Sequence, residues 1–519
     1  MLRNGGTTPG AVGFVDDRIV ALGPEDQVVS AMEGDVRVYR ADGATIVPGF
    51  IDGHLHLSSL GEHLGSVDLA GCGSIEDMVR RVRDRAAGDA GDGWITGRGW
   101  DQDRFVEGRY PCARDLDRAE PDRPVVLRRA CGHALVANTA ALRAAGVQAQ
   151  ATDPVGGRFE RDEGGRITGV LHETAMKPIL DAIPRHDAAT RREHLRRGIR
   201  RCHAAGITSV HTNEGGCDLS DLWTGFRDVG EDPDYALRAY LDLGPSFLEA
   251  LGEAKMTTGY GDEYLKVGAL KLFADGSLGA RTALLSMDYA DDPGNRGTYV
   301  IPPDEMRELI RCARGMGMQI AVHTIGDAAL DSTLGLLERP GGSGVPDRVI
   351  HCQITREDQF AALADANVIA CVQPRFVATD MAWAEMRVGS ELVRTSYAWN
   401  SLLRAGVDLA GGSDAPVEPV DPILGIHAAV NRVDDAGEPA GGWNPAERID
   451  LLEAFDLFGP GAAASEGAAR IKGCLEVGYV ADFVLLDRDP LEIDPGAIRD
   501  IRVLETWVGG RRVFGDTTR

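Results

Sequence analysis

The chain has 519 residues and a formal net charge of −25. So acidic a protein repels phosphate backbones, which argues against nucleic acid as a partner. With 43% hydrophobic and 26% charged residues, it reads as a globular chain of two or three structural units. No apolar run approaches the roughly 18 residues of a membrane span.

The N-terminal Met-Leu-Arg-Asn-Gly-Gly lacks the basic and then apolar run of a signal peptide, so a cytoplasmic location is expected. Residues 11 to 47 read as short strands at Ala11–Val15, Arg18–Leu22 and Val36–Tyr39, separated by turns at Asp16-Asp17 and Gly23-Pro24. From about residue 90 to 170 the chain is rich in Gly, Asp, Arg and Pro and breaks the rhythm of the rest. This stretch is expected to be an insertion over the mouth of the central fold.

From there apolar strands alternate with helical stretches. Helical Arg192–Ala205 precedes the strand Ile207–His211. Val267–Phe273, Gln319–His323, Arg348–His351, Val368–Gln373 and Asp408–Asp414 continue the series, with amphipathic helices at Glu305–Met316 and Ala328–Leu337. Repeated strand–helix units imply a parallel sheet buried on both faces. Polar residues end the apolar runs at His211, His323, His351 and Asp414, where (β/α)8 barrels carry their active sites. The C-terminus returns to strands at Asp482–Leu486, Ile501–Leu504, Glu505–Val508 and Arg511–Phe514, with Gly509-Gly510 as a hairpin turn. Both strand-rich ends can pair into one small β domain.

His54 and His56 stand two residues apart and would share one face of a strand, where two imidazoles can chelate one divalent metal. By itself such a pair is also compatible with two polar loop residues. His323 and His351 end successive strands. Asp414, in Gly411-Gly-Ser-Asp-Ala-Pro416, is either a metal ligand and proton acceptor or the cap of the next helix. Lys271 is one of only five lysines, with Lys177, Lys255, Lys266 and Lys472, and it lies in an apolar strand. A buried ammonium is costly unless paired, here with Asp275 or Glu173, or converted by carbon dioxide to a carbamate that can bridge two metals. The nine cysteines form no CxxC pair and read as small core residues.

Seven segments, in order, resemble the amidohydrolase superfamily, in the branch called amidohydrolase family 3 or YtcJ-like. They are Val47-Pro-Gly-Phe-Ile-Asp-Gly-His-Leu-His56, Gly206-Ile-Thr-Ser-Val210, Leu270-Lys-Leu-Phe-Ala-Asp-Gly-Ser-Leu-Gly279, Val322-His-Thr-Ile-Gly-Asp327, Arg348-Val-Ile-His351, Gly412-Ser-Asp-Ala-Pro416 and Leu475-Glu-Val-Gly-Tyr-Val-Ala-Asp-Phe-Val-Leu-Leu-Asp487. The resemblance implies an α/β fold. A (β/α)8 TIM barrel over residues 48–469 would carry the insertion, with a β-sandwich composed of residues 1–47 and 470–519. It implies one or two divalent metal ions, usually zinc, a small-molecule substrate and a homodimer.

By position, His54 and His56 would bind the more buried metal and His323 and His351 the second. Lys271, as a carbamate, would bridge them, and Asp414 would bind metal and act as general base. The implied reaction is hydrolysis of a non-peptide C–N bond, an amide or an N-acyl or N-formyl group, by metal-activated hydroxide. Cyclic amides, lactones and deamination are alternatives on the same scaffold, and a non-catalytic binding protein is a more distant one. Trp100 and Asp101, in Gly97-Arg-Gly-Trp-Asp101, and His133 resemble family segments near the pocket. Arg281 follows the Asp275–Gly279 loop, and all four are candidate substrate contacts. After His211 the branch often has Asp, whereas this chain has Thr212-Asn-Glu214, so Glu214 stays outside the metal set.

Overall fold

The computed structural model describes residues 2–3, 6–41, 43–88, 93–129, 134–154, 157–337 and 342–515. The chain divides into two compact units, Met1–Ser58 with Gly198–Arg519, and Ser59–Arg197.

The first unit is built on eight parallel strands that neighbour one another in chain order. They are β1 (Phe50–Leu55), β2 (Ile207–Glu214), β3 (Arg238–Leu243), β4 (Leu265–Phe273), β5 (Gln319–Thr324), β6 (Arg348–His351), β7 (Ile369–Val372) and β8 (Asp408–Gly411). The segment after β8 returns to β1, where the Asp414 amide donates to the His54 carbonyl at 2.8 Å and the His56 amide to the Ala415 carbonyl at 2.9 Å. This is the TIM barrel expected from the alternating pattern. Its strands bury nearly every side chain because helices cover the outside and side chains fill the inside. Ile51, Ala269, Ala321, Ile350, Cys371 and Ala410 form one core cluster. The turn into β2 needs Gly206, whose φ is +79° and where a Cβ would stand 2.9 Å from the Phe50 ring.

Both termini build the small β domain. Thr45–Pro48 pairs antiparallel with Phe483–Leu486, which pairs with Val503–Val508 and through it with Arg511–Phe514. The hairpin of Ala11–Val15 with Arg18–Gly23 adds a second layer. Ile19, Phe483 and Leu485 are its core, with Phe14 and Trp507 packed against them. Val36–Tyr39 is irregular rather than a strand, and all but Arg37 of its large side chains are exposed apolar groups, Val36, Val38 and Tyr39. The strand of this region is instead Thr45–Pro48, whose Thr45 and Val47 are buried.

The second unit holds a six-stranded mixed sheet ordered Gly157–Arg161, Ile167–Glu173, Ala134–Ala137, Val125–Arg129, Ile95–Trp100 and Val67–Asp68. It is wider than the 90–170 break in rhythm, because its first strand and the helix Ile75–Ala87 already belong to it.

Candidate metal centre

Strand register brings the chemistry to one end of the barrel. His323 lies opposite Phe273 and Ile350, and His351 opposite Thr324. His54 closes β1 and is buried, and His56 follows one residue past the strand and is partly exposed. Their rings lie 5.5 Å apart. The His351 ring stands 5.7 Å from that of His54 and 4.5 Å from that of His323. Asp414 Oδ1 lies 3.5 Å from His54 Nε2 and 3.3 Å from His56 Nε2. Donor atoms of His54, His56 and Asp414 all fall within 4.8 Å of one another, close enough for one ion.

The surroundings fix which nitrogens face inward. His323 Nε2 lies 2.9 Å from the Gly276 carbonyl, which can only accept, so Nε2 carries the proton and Nδ1 keeps its lone pair. His351 Nδ1 lies 2.7 Å from Gln373 Oε1, and the Gln373 amide nitrogen donates to the Cys371 carbonyl. The Gln373 oxygen must therefore accept from His351 Nδ1, leaving His351 Nε2 unprotonated. Such partners orient imidazole ligands and raise their basicity. Burial, followed by the neighbouring Lys271 charge, holds His54 well below its ordinary pKa. For His351 burial also leads, ahead of His323 and Lys271, and His323 is pushed down to about 3. All three are neutral at pH 7, as a metal ligand must be.

Lys271 is 1% exposed, and its Nζ has no hydrogen-bond acceptor among the described residues. It lies 3.8 Å from the Phe273 ring centre. Burial pushes it down to about 7, against the pull of Asp414 and Asp242. The ion pair with Asp275 is absent, because Asp275 accepts from the backbone amides of Leu284, Ile325 and Gly326. An orphaned amine and several inward lone pairs fit a metal better than they fit a closed protein network. Left-handed backbone at His351 (φ 76°), Cys352 (φ 44°) and Asp414 (φ 57°) marks the same place. Non-glycine residues hold that conformation only where their surroundings over-determine it.

Two further carboxylates were not assigned from the sequence. Asp52 accepts from the His54 and Ser413 amides, joining β1 to the segment after β8, and burial pushes it up to about 7. Glu214 ends β2, buried, with Oε1 accepting from the Thr212 hydroxyl at 2.6 Å and the Ser58 amide at 3.1 Å. His211 is a correction. Strand β2 runs on to Glu214, so His211 lies inside the strand, with Nδ1 at 3.1 Å from Arg348 and Nε2 at 3.4 Å from Glu466.

The candidate substrate contacts fare differently. Trp100 is fully buried in the core of the Ser59–Arg197 unit, and its indole N–H donates to the Leu127 carbonyl at 2.8 Å. This corrects the expectation of a substrate contact, since neither its ring nor its N–H is presented to solvent. Asp101 accepts from Arg129 at 2.7 Å. Arg281 makes a two-pronged pair with Asp291 at 3.0 and 2.9 Å, which satisfies its guanidinium without a substrate carboxylate. His133 lies outside the described residues.

Comparison with known proteins gives the family. The profile of the amidohydrolase family matches residues 37–514. The chain is 36% identical over 476 residues to the amidohydrolase YtcJ of Bacillus subtilis (strain 168), covering 91% of this chain and 89% of that protein. It is 28% identical over 514 residues to the N-substituted formamide deformylase of Arthrobacter pascens, covering 95% and 92%. Among solved structures it is similar to an uncharacterized metal-dependent hydrolase from Pyrococcus horikoshii OT3, with a TM-score of 0.78, 30% identity, and 93% and 95% of the two chains covered.

Proposed function

The chain belongs to the amidohydrolase family, and from that premise we propose that it hydrolyses a non-peptide C–N bond, an amide or N-acyl or N-formyl group, of a small molecule. The observation that carries this reading is the convergence of His54, His56, His323, His351, Lys271 and Asp414 at one barrel end, with lone pairs turned inward and the Lys271 amine without a hydrogen-bond partner among the described residues. The relative from Arthrobacter pascens, named for deformylating N-substituted formamides, supports the bond class.

His54 and His56 would hold the more buried ion and His323 and His351 the second, with Asp414 beside the first pair. Imidazole and oxygen donors in this mixture suit zinc. Lys271, which burial pushes down to about 7, would have the lone pair to attack carbon dioxide and lose a proton, and the carbamate so formed would offer its oxygens to divalent ions held by the histidines. A divalent ion bound here supplies Lewis acidity toward a carbonyl oxygen and acidifies water toward neutrality. Asp414 accepts the proton of the attacking water on its carboxylate and delivers it to the leaving nitrogen. Gln373 and the Gly276 carbonyl keep the His351 and His323 rings from turning away.

The test is an assay of the metal-replete chain against N-formyl and N-acyl amines, wild type beside Asp414→Asn. The expected products are the free amine and the carboxylic acid, formed by the wild type only. Turnover confined to lactones or amino-heterocycles would move the bond while keeping the centre. Equal turnover by both proteins would remove Asp414 from the proton path.

A further inference from the structure

We propose that Glu62, His186 and His194 form a second divalent-metal site, built within the Ser59–Arg197 unit and suited to a borderline ion such as Zn2+. Their donor atoms all lie within 4.8 Å of one another. His186 Nε2 is 3.2 Å from Glu62 Oε1, and the two imidazoles meet edge to face with centres 4.6 Å apart. Donors around a tetrahedral zinc with bonds of about 2.0–2.1 Å stand roughly 3.4 Å apart, so small side-chain rotations close the set.

The backbone beneath these side chains is fixed. Glu62 lies on helix α1 (Leu57–Leu64) and His194 on helix α2 (Ala188–Ala204). The helices touch backbone to backbone at Gly61, where a Cβ would lie 1.7 Å from the His194 carbonyl oxygen. Only glycine admits that approach, and it sets Glu62 beside His194. His186 precedes α2 and is tied to its first turn. Arg191 donates to the His186 carbonyl at 2.5 Å, and Asp187 caps the Thr190 amide at 2.7 Å.

The protonation states suit a cation. His194 is buried, and burial, reinforced by His186, holds it down to about 4, so it offers a lone pair at neutral pH. The hydrogen bond from His186 keeps the Glu62 carboxyl below its usual range and ionised. A hydrogen bond between His186 and Glu62 alone would satisfy those two groups but gives no reason for a neutral second imidazole to converge on them. Two nitrogens and one carboxylate select zinc-like ions over calcium or magnesium, which favour oxygen cages. Glu62 and His186 are partly exposed, which leaves a fourth position for water and makes the ion exchangeable.

The site shares no residue with the barrel centre, so the two are separable. The full chain is dialysed against buffered Zn2+ and bound zinc is counted per chain for wild type, His186→Ala, Glu62→Gln and the double variant His54→Ala/His56→Ala. His186 and Glu62 are exposed enough to be replaced without emptying the core, and circular dichroism verifies folding. His186→Ala is expected to lose one zinc equivalent, and Glu62→Gln to bind that equivalent roughly tenfold or more weakly. The barrel double variant is expected to keep it. His186→Ala binding as many equivalents as wild type, at unchanged affinity, would overturn the site and leave the three residues as a packed His–Glu pair.

Discussion

Two buried polar clusters share the barrel interior and differ in how they are closed. In one, opposite charges meet. Arg348 pairs with Asp242, both fully buried, and Lys472 pairs with Glu466, which also faces His211. In the other, around His54, His56, His323, His351 and Asp414, the imidazoles point at one another, and the neighbouring Lys271 amine has no acceptor among the described residues. Lys271 feels both, since the Asp414 and Asp242 carboxylates favour its charge and Arg348 opposes it. The first cluster balances its charges in ion pairs, although Asp242 Oδ2, Arg348 Nε and His211 Nε2 are left without hydrogen-bond partners among the described residues. The second gathers imidazole nitrogens and the Lys271 amine around the Asp414 carboxylate, the arrangement proposed above to hold metal. Burial with unsatisfied atoms therefore does not by itself separate the two clusters; the convergence of neutral imidazoles on the Asp414 carboxylate does.

The contrast breaks most sharply under substitution. Asp414→Asn is expected to lower turnover by roughly 10²–10⁴-fold, the usual worth of a positioned acid or base, while the thermal midpoint of the metal-free chain stays close to wild type. Steady-state kinetics and a thermal melt on one preparation check both halves. In the paired cluster the effect falls on stability. Arg348→Met strands the Asp242 carboxylate and is expected to cost about 3–5 kcal/mol, and the double variant Arg348→Met/Asp242→Leu should recover most of that loss. Denaturant titration of the two variants would refute the distinction if the double variant were as unstable as the single.

Gln373→Leu removes the acceptor of His351 Nδ1 together with the donor to the Cys371 carbonyl. It is expected to weaken metal binding by about 10–100-fold with little change in folding, measured by competition with a chelator. The smallest effect is in pH dependence. His323 sits near 3 in the folded chain against 6.5 ordinarily. Below pH 6.5 the unfolded chain therefore takes up a proton that the folded chain refuses, and stability is lost as pH falls toward 3. One such group contributes at most about 1.4 kcal/mol per pH unit. His323→Asn should flatten the metal-free stability profile by that much across this window, and an unchanged slope would mean that His323 is not held neutral.

Much of the barrel was legible because its strands are apolar runs ended by a polar residue, as at Gln319–His323 and Arg348–His351. The same rule failed at β2. It stopped at His211, the first titratable residue, whereas the strand runs on to Glu214 paired with Leu243 of β3, and the Thr212 hydroxyl bonds the buried Glu214 carboxylate. Strand β3 escaped notice because it opens with Arg238, whose charge is neutralised by Asp482 from 244 residues away. Gln373 and the Gly276 carbonyl orient His351 and His323, yet nothing local distinguishes them, since both roles exist only once distant segments are side by side. Trp100 shows the reverse error: a resemblance placed it near substrate, while the hydrophobic core of its own unit claims it.

The barrel cluster, as proposed, is an incomplete site finished by metal. Metal analysis of the purified chain, before and after chelation and for His54→Ala/His56→Ala, together with turnover of an N-formyl amine, tests it most directly. One or two barrel-bound equivalents are expected, lost together with activity on chelation, restored together on adding zinc, and missing from the double variant. Full activity in the chelated chain, or undiminished metal in the barrel of the double variant, would contradict it.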